Sequence, residues 1–297
     1  MTDERLVPFP PEVAKLITLG EPEIADHHAV WPDYRALGIA PDHLEDLLRL
    51  AEHGGPDELV DDELNKEDAW WASFHACCAL GQLQMVEAAP RVLELLKTLP
   101  GDDFLHQEIG YIMSAMGPDT IEYIARGIEN AAWDPFARIF AGEALVQVGK
   151  DHPAARQECL DVLERELALC EANEPEFNGF LISGLIDLRG KEVIAMIKAA
   201  FAADTVDQSI AGDLEDVEIA LGLRHVRDTP RPHYGMELSR GMDVGDFGAN
   251  EKPAVNPFRH TGRNDPCPCG SGKKLTANPA APGTRTSAGR RRVAQES

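Results

Sequence analysis

The sequence predicts an all-α protein: an array of stacked helix pairs followed by a disordered C-terminal tail. Three observations carry this. Five glycines punctuate apolar stretches, namely Gly38, Gly81, Gly117, Gly149 and Gly190, at spacings of 43, 36, 32 and 41 residues, the length of a two-helix unit. Apolar residues recur three and four positions apart before and after the later glycines, as helix faces require. Alternating runs of Val, Ile, Thr and aromatic residues, the mark of half-buried strands, are missing, and Ala, Leu, Glu and Asp dominate.

The elements follow in order. Residues 1–34 read as an N-terminal capping segment, and the acidic run Asp61-Asp62-Glu63 suits the polar outer face of an end unit. Residues 35–227 form the repeat domain. Its first helices carry Trp71, Phe74, His75 and Cys78; Leu105, Ile109, Ile112 and Met116; Ile139, Phe140, Leu145 and Val148; and Phe177, Phe180, Leu181, Leu185 and Leu188. Its second helices carry Val92, Leu95, Leu96 and Leu99; Ile121, Ile124 and Ile128; Leu160, Leu163 and Leu167; and Val193, Ile194, Ile197 and Phe201. Each glycine is expected to end a first helix, because it enters the left-handed region without a Cβ penalty. Two antiparallel helices cannot bury both apolar faces alone, so stacking of neighbouring pairs supplies the core.

Ala79-Leu80-Gly81 and Ala115-Met116-Gly117-Pro118-Asp119 give the body its resemblance to the HEAT repeat family over roughly residues 35–225. That resemblance implies a right-handed α-solenoid whose second helices open on a polar or Pro-containing turn. An irregular helical bundle is the plainer alternative.

Residues 228–261, rich in Pro and Gly, read as a flexible linker that buries too little apolar surface to offset its ordering entropy. Residues 262–274, Gly-Arg-Asn-Asp-Pro-Cys-Pro-Cys-Gly-Ser-Gly-Lys-Lys, closely resemble the start of the SEC-C motif, a small zinc-binding module found at the end of the SecA preprotein translocase motor. The resemblance implies zinc on Cys267 and Cys269, with Arg263, Lys273 and Lys274 in partner binding. It also implies docking of the kind that module makes to the chaperone SecB and the ribosome. Thiolates suit zinc, and the prolines fix φ around Cys267 so that both sulfurs can face one ion. The family's second ligand pair is missing: residues 270–297 contain neither Cys nor His. A closed zinc site wants four protein ligands, so zinc binding is expected to be weak or absent. Residues 275–297 read as a disordered basic tail, as if frameshifted after Lys274; a single-base change restoring a cysteine pair is what resequencing would then reveal. His260, Cys77-Cys78 or a second chain could complete the site, although His260 reads more simply as solvated and Cys77-Cys78 as buried thiols.

Charge narrows the function. The chain carries 28 Lys and Arg against 51 Asp and Glu, a net charge of −23, distributed as −28 over residues 1–230 and +5 over residues 231–297. An anionic body repels phosphate, which disfavours nucleic acid and anionic membrane as partners. No apolar run reaches bilayer length and the first residues lack a signal-peptide pattern, so a soluble, cytoplasmic protein is expected.

Gly270-Ser-Gly-Lys-Lys is no phosphate loop, since Cys267 replaces its first glycine and Lys274 its Ser or Thr. His-Glu-x-x-His and Gly-x-Ser-x-Gly signatures are lacking. Asp26, His27, His28 and Asp33 form a possible metal constellation, more simply an exposed polar turn. The carboxylates of Asp213 to Glu218 are most simply a solvated face, or else a helix edge offered to a basic partner. The expected function is a non-enzymatic protein-interaction scaffold with an incomplete SEC-C docking motif, whose protein partner is unidentified. The alternatives are a HEAT-like enzyme, related to DNA glycosylases or bilin lyases, and an oligomer bridged by zinc.

Overall fold

In the computed structural model, residues 9–25, 28–52, 55, 59, 66–98 and 103–232 are described. In chain order the helices are α1 (Pro11–Ala14), α2 (Leu44–Ala51), α3 (Lys66–Ala69), α4 (Ala72–Gln82), α5 (Ala89–Thr98), α6 (Asp103–Met116) and α7 (Ile121–Ile128). They continue with α8 (Pro135–Asp151), α9 (Arg156–Leu167), α10 (Pro175–Asp187), α11 (Ile194–Ala202), α12 (Gln208–Ala211) and α13 (Leu214–Ala220). Two-residue strands β1 (Ile24–Ala25) and β2 (His28–Ala29) make a minimal antiparallel hairpin absent from the sequence expectation. The described residues are thus mostly helical.

The first helices α4, α6, α8 and α10 pack side by side in chain order as one layer. The second helices α5, α7, α9 and α11 follow one another as a second layer backed onto it. Each second helix opens with one turn of 3-10 helix, at Val86–Ala88, Pro118–Thr120, Pro153–Ala155 and Lys191–Val193. The apolar stripes meet between the layers, where Leu80, Ile112, Leu145 and Leu185 face inward with Val92, Ile124, Leu163 and Ile197 and all are buried. Each such side chain contributes about 1.5–3 kcal/mol through removal from water.

The glycines do different work from that expected. Only Gly117 ends a helix in the left-handed region, at φ 114°. Gly38, at φ 93°, closes a turn. Gly81 lies inside α4, where an added Cβ would stand 3.2 Å from the Ile112 carbonyl oxygen and from the Trp31 ring. Gly149 lies inside α8, where a Cβ would stand 2.8 Å from Leu188. Both are needed for close packing. The left-handed step falls on Gln84 after α4 and on Arg189 before Gly190, at φ 59° and 57°.

Residues 9–25 and 28–40 are built into the array. Val13, Leu16 and Tyr34 are fully buried against its first helices, and we call the extended stretch from His28 to Tyr34 the strap. At the other end, residues 224–231 are tied to α13. Arg227 pairs with Asp213 at 2.5 Å and with Asp216 at 2.7 Å; Arg224 pairs with Glu218 at 2.8 Å, and Arg231 with Asp216 at 2.7 Å. Lys198 of α11 takes the other oxygen of Glu218 at 2.8 Å. The carboxylates of residues 213–218 are therefore occupied by the chain's own cations.

Candidate functional site

The strap shows what the first-helix layer can hold. Glu108 of α6 is buried and accepts hydrogen bonds from Ala29 N at 3.1 Å and Trp31 Nε1 at 2.7 Å. Gln82 of α4 accepts from Tyr34 N at 2.8 Å and donates to Pro32 O at 2.9 Å. His75 Nε2 lies 2.8 Å from Gly20 O, a pure acceptor, so the proton sits on Nε2 and Nδ1 accepts from the Tyr34 hydroxyl at 2.9 Å. Burial holds the His75 pKa low and pushes the Glu108 carboxyl up, the latter opposed by its two donors.

Beyond the strap the same surface is open. Gly110 brings α6 close to α8, since its Cβ would stand 3.1 Å from Gln147 Cβ and 3.6 Å from Ala144 Cα. On α8, Phe136, Phe140, Glu143 and Gln147 fall on one stripe. Pro135 at the first helical position and the Asp134 cap, which accepts from Phe136 N at 2.9 Å, start that helix and place Phe136 at the rim.

Two depressions lie along this stripe. One, about 660 Å³, is lined by Lys97, His106, Trp133, Asp134, Phe136 and Phe140 among others; Lys97 Nζ sits 5.1 Å from the centre of the Trp133 ring. The other, about 240 Å³, is polar and is lined by Gln107, Tyr111, Glu143, Gln147, Lys150 and Asp187 among others. His106, stacked on Phe140 at 4.4 Å, borders both. His28 packs on Tyr111 at 4.8 Å, so the strap forms one end of the groove.

Lys150 is committed to Asp187 at 2.5 Å. Glu143 reaches solvent, yet burial of its carboxyl against the wall, and secondly the charge of Asp187, push its pKa up. Ser114, Asp151 and His152 meet nearby without forming a nucleophilic triad. The Ser114 hydroxyl donates to Asp151 at 2.7 Å, while His152 Nε2 takes the Ser114 carbonyl at 2.8 Å.

Of the residues singled out by sequence, Arg263, Cys267, Cys269, Lys273, Lys274 and His260 lie outside the described residues, as do Asp26, His27 and Asp61 to Glu63. His28 and Asp33 go separate ways: His28 joins Tyr111, and Asp33 caps the Ala36 N–H at 3.0 Å. Cys77 and Cys78 are buried in α4, and burial raises the Cys78 thiol well above its ordinary range. Among the described residues no three His, Cys, Asp or Glu side chains gather as a metal-binding group, and no helix is long and apolar enough to cross a membrane. The groove residues Phe136, Glu143, Gln147, Lys150 and Asp187 were not anticipated. The only sequence trace of the first four is the spacing of the α8 stripe, and Asp187 on α10 has none.

Residues 39–228 match the family described as a protein of unknown function, DUF1186. The chain belongs to the DUF1186 family. The groove and most of both helix layers fall inside the DUF1186 region, whereas residues 263–275 match the SEC-C motif separately. Such motifs are associated with zinc binding. Cys267 and Cys269 supply two of the four donors that a closed site takes, and residues 270–297 contain neither Cys nor His.

The chain is similar to the protein translocase subunit SecA of Bordetella parapertussis, 33% identical over 94 residues, which is 32% of this chain and 9% of that protein. It is similar to SecA of Dechloromonas aromatica over the same shares at 34% identity. With SecA of Bordetella petrii it is 27% identical over 192 residues, 62% of this chain and 19% of that one. The chain thus spans a small part of the curated relatives it matches. No solved structure matches it.

Proposed function

We propose that this DUF1186 protein is a non-enzymatic cytoplasmic scaffold that holds an extended polypeptide of a protein partner on its first-helix layer. In this reading the helix pairs form a HEAT-like right-handed solenoid. The SEC-C motif then serves as a second, tethered docking element through Arg263, Lys273 and Lys274, with at most weak zinc on Cys267 and Cys269. The supporting observation is the strap. An extended segment is already held on this surface through its backbone by Glu108 and Gln82, and the next helices present Gln107, Glu143 and Gln147 over an open groove. An amide side chain offers an NH2 donor group and a carbonyl acceptor, which match the carbonyl and N–H that an extended backbone displays.

Selection from a random twelve-residue peptide display library on the full chain tests this. Enrichment of binders that lose about tenfold in affinity against Phe136→Ser or Gln147→Ala is the expected result, equivalent to about 1.4 kcal/mol. No enrichment, or binders indifferent to both variants, would overturn it. Tight binding of duplex DNA at low salt would overturn it in favour of a glycosylase-like activity.

A further inference from the structure

We infer that the occupant of the groove presents an arginine or lysine side chain to Glu143, beside an aromatic residue seated against Phe136 and Phe140. This rests on the peptide-holding reading above and names the chemistry of the partner.

Four observations converge on Glu143. Asp187, a like charge, acts on it, and Lys150, which lines the same depression, is already taken by Asp187. No Lys or Arg pairs with Glu143 among the described residues, whereas every carboxylate of the α13 cluster has at least one arginine within 4.0 Å. Two carboxylates side by side, one of them crowded against the groove wall, are relieved by a cation arriving from outside. The raised pKa of Glu143 expresses the same strain.

The second observation is Gly142, one residue away inside α8. A helix-interior glycine costs about 1 kcal/mol relative to alanine. At the other close-packed helical glycines the fold itself supplies the reason, but a Cβ at Gly142 would meet nothing within 4 Å. Gly142 and Glu143 border the same narrow apolar recess with Phe177, Phe180 and Gly184. Gly142 is itself buried and the recess holds only about 20 Å³, bordered by the exposed Glu143.

The third is the aromatic end. Phe136, 57% exposed, lines the same depression as Phe140 and Trp133, and Trp133 already draws Lys97 onto its face. The fourth is geometry. Phe136 and Glu143 are seven residues apart, about 10.5 Å along the helix axis. In a polyproline-II strand, residues three apart share a face at about 9 Å. One chain can therefore reach both.

The charge of the body agrees, since residues 1–230 carry −28. Overall attraction alone would not discriminate one site from another, and the test separates the two.

The probe is a twelve-residue peptide of Ala, Ser and Thr bearing one Phe and, three residues on, one Arg; its control replaces Arg by citrulline, which keeps the shape and removes the charge. Titration of the intact chain by calorimetry should show the arginine probe binding about tenfold more tightly than the citrulline probe. Glu143→Gln should shrink that preference to about twofold. Asp161→Asn, on the exposed side of α9, should leave it at tenfold. Equal binding of the two probes by the natural chain, or a preference that survives Glu143→Gln, overturns the inference while leaving the peptide groove standing. A preference lost equally in Asp161→Asn also overturns it, by assigning the effect to general charge. Binding of neither probe at about 1 mM counts against the groove itself. Circular dichroism of the variants keeps loss of fold distinct from loss of binding.

Discussion

The first-helix layer is covered at one end and open at the other. Over α4 and α6 lies the strap, with Trp31 against Gly81 and its backbone held by Glu108 and Gln82. Over α6, α8 and α10 the layer carries carboxylate, amide and aromatic side chains and no such segment among the described residues. The same kind of surface is saturated in one place and unsatisfied in the other. Where the chain supplies its own occupant the surface serves stability, and where it does not the surface is free for recognition.

The covered end should therefore be the sensitive one. Glu108→Ala leaves the Ala29 N–H and the Trp31 indole N–H without their acceptor in a buried place, at about 1–3 kcal/mol for each orphaned group. The lost burial penalty of the charge offsets part of this, so a net loss of about 2–4 kcal/mol is expected from urea melts. Faster hydrogen exchange at Ala29 should accompany it. A loss below about 0.5 kcal/mol would mean that the strap is not anchored there.

Next in size is Gly81→Ala. The new methyl would press on the Ile112 backbone, which cannot yield as a side chain tip does, and on the Trp31 ring. Overpacking of this kind costs about 1–3 kcal/mol, reduced by the better helix propensity of alanine to a net loss of up to about 2 kcal/mol. Thermal denaturation reads it directly.

These two expectations also mark what the sequence could and could not disclose. The stripes that build α4 to α11 are local, three and four residues apart, so helix identity and pairing were legible without coordinates. Gly81 and Gly149 were misread as helix stops because a glycine at a helix end and one that admits a neighbouring helix leave the same mark, and only the partner's position separates them. The strap left no mark, since its hold on the layer depends on Glu108, 77 residues beyond Trp31. The groove was hidden for the same reason: Tyr111, Glu143 and Asp187 sit on three helices and meet only through stacking. The SEC-C resemblance was legible because its residues are contiguous.

The pH dependence of stability separates the two ends further. His75 has its pKa held below the ordinary value of about 6.5, so the unfolded chain binds the extra proton more readily. Its contribution is fully present above pH 6.5 and is lost as the pH falls toward the folded value, with a slope of at most about 1.4 kcal/mol per pH unit. Glu108, raised by burial, has the opposite sign: its ionisation removes stability as the pH rises through its folded value. Stability measured from pH 7.5 down to 5.5 should fall in the natural chain and in Glu143→Gln alike. In His75→Asn, which lacks the titrating ring, the fall should vanish. A fall that persists unchanged would place the pH sensitivity elsewhere.

The smallest effect belongs to the open end and runs the other way. Gly142→Ala adds a methyl where nothing stands within 4 Å, in the interior of α8, and removes the entropic cost of a helical glycine. The fold should gain about 0.5–1 kcal/mol, and the variant should melt a few degrees higher. The same methyl narrows the recess beside Glu143, so selected peptides should bind the more stable protein less well. Stability and binding moving in opposite directions on one methyl would be the signature of a surface kept imperfect for an occupant. If the variant gains stability and keeps its affinity, the glycine has no part in recognition, and the open end contacts its peptide elsewhere along the α8 stripe.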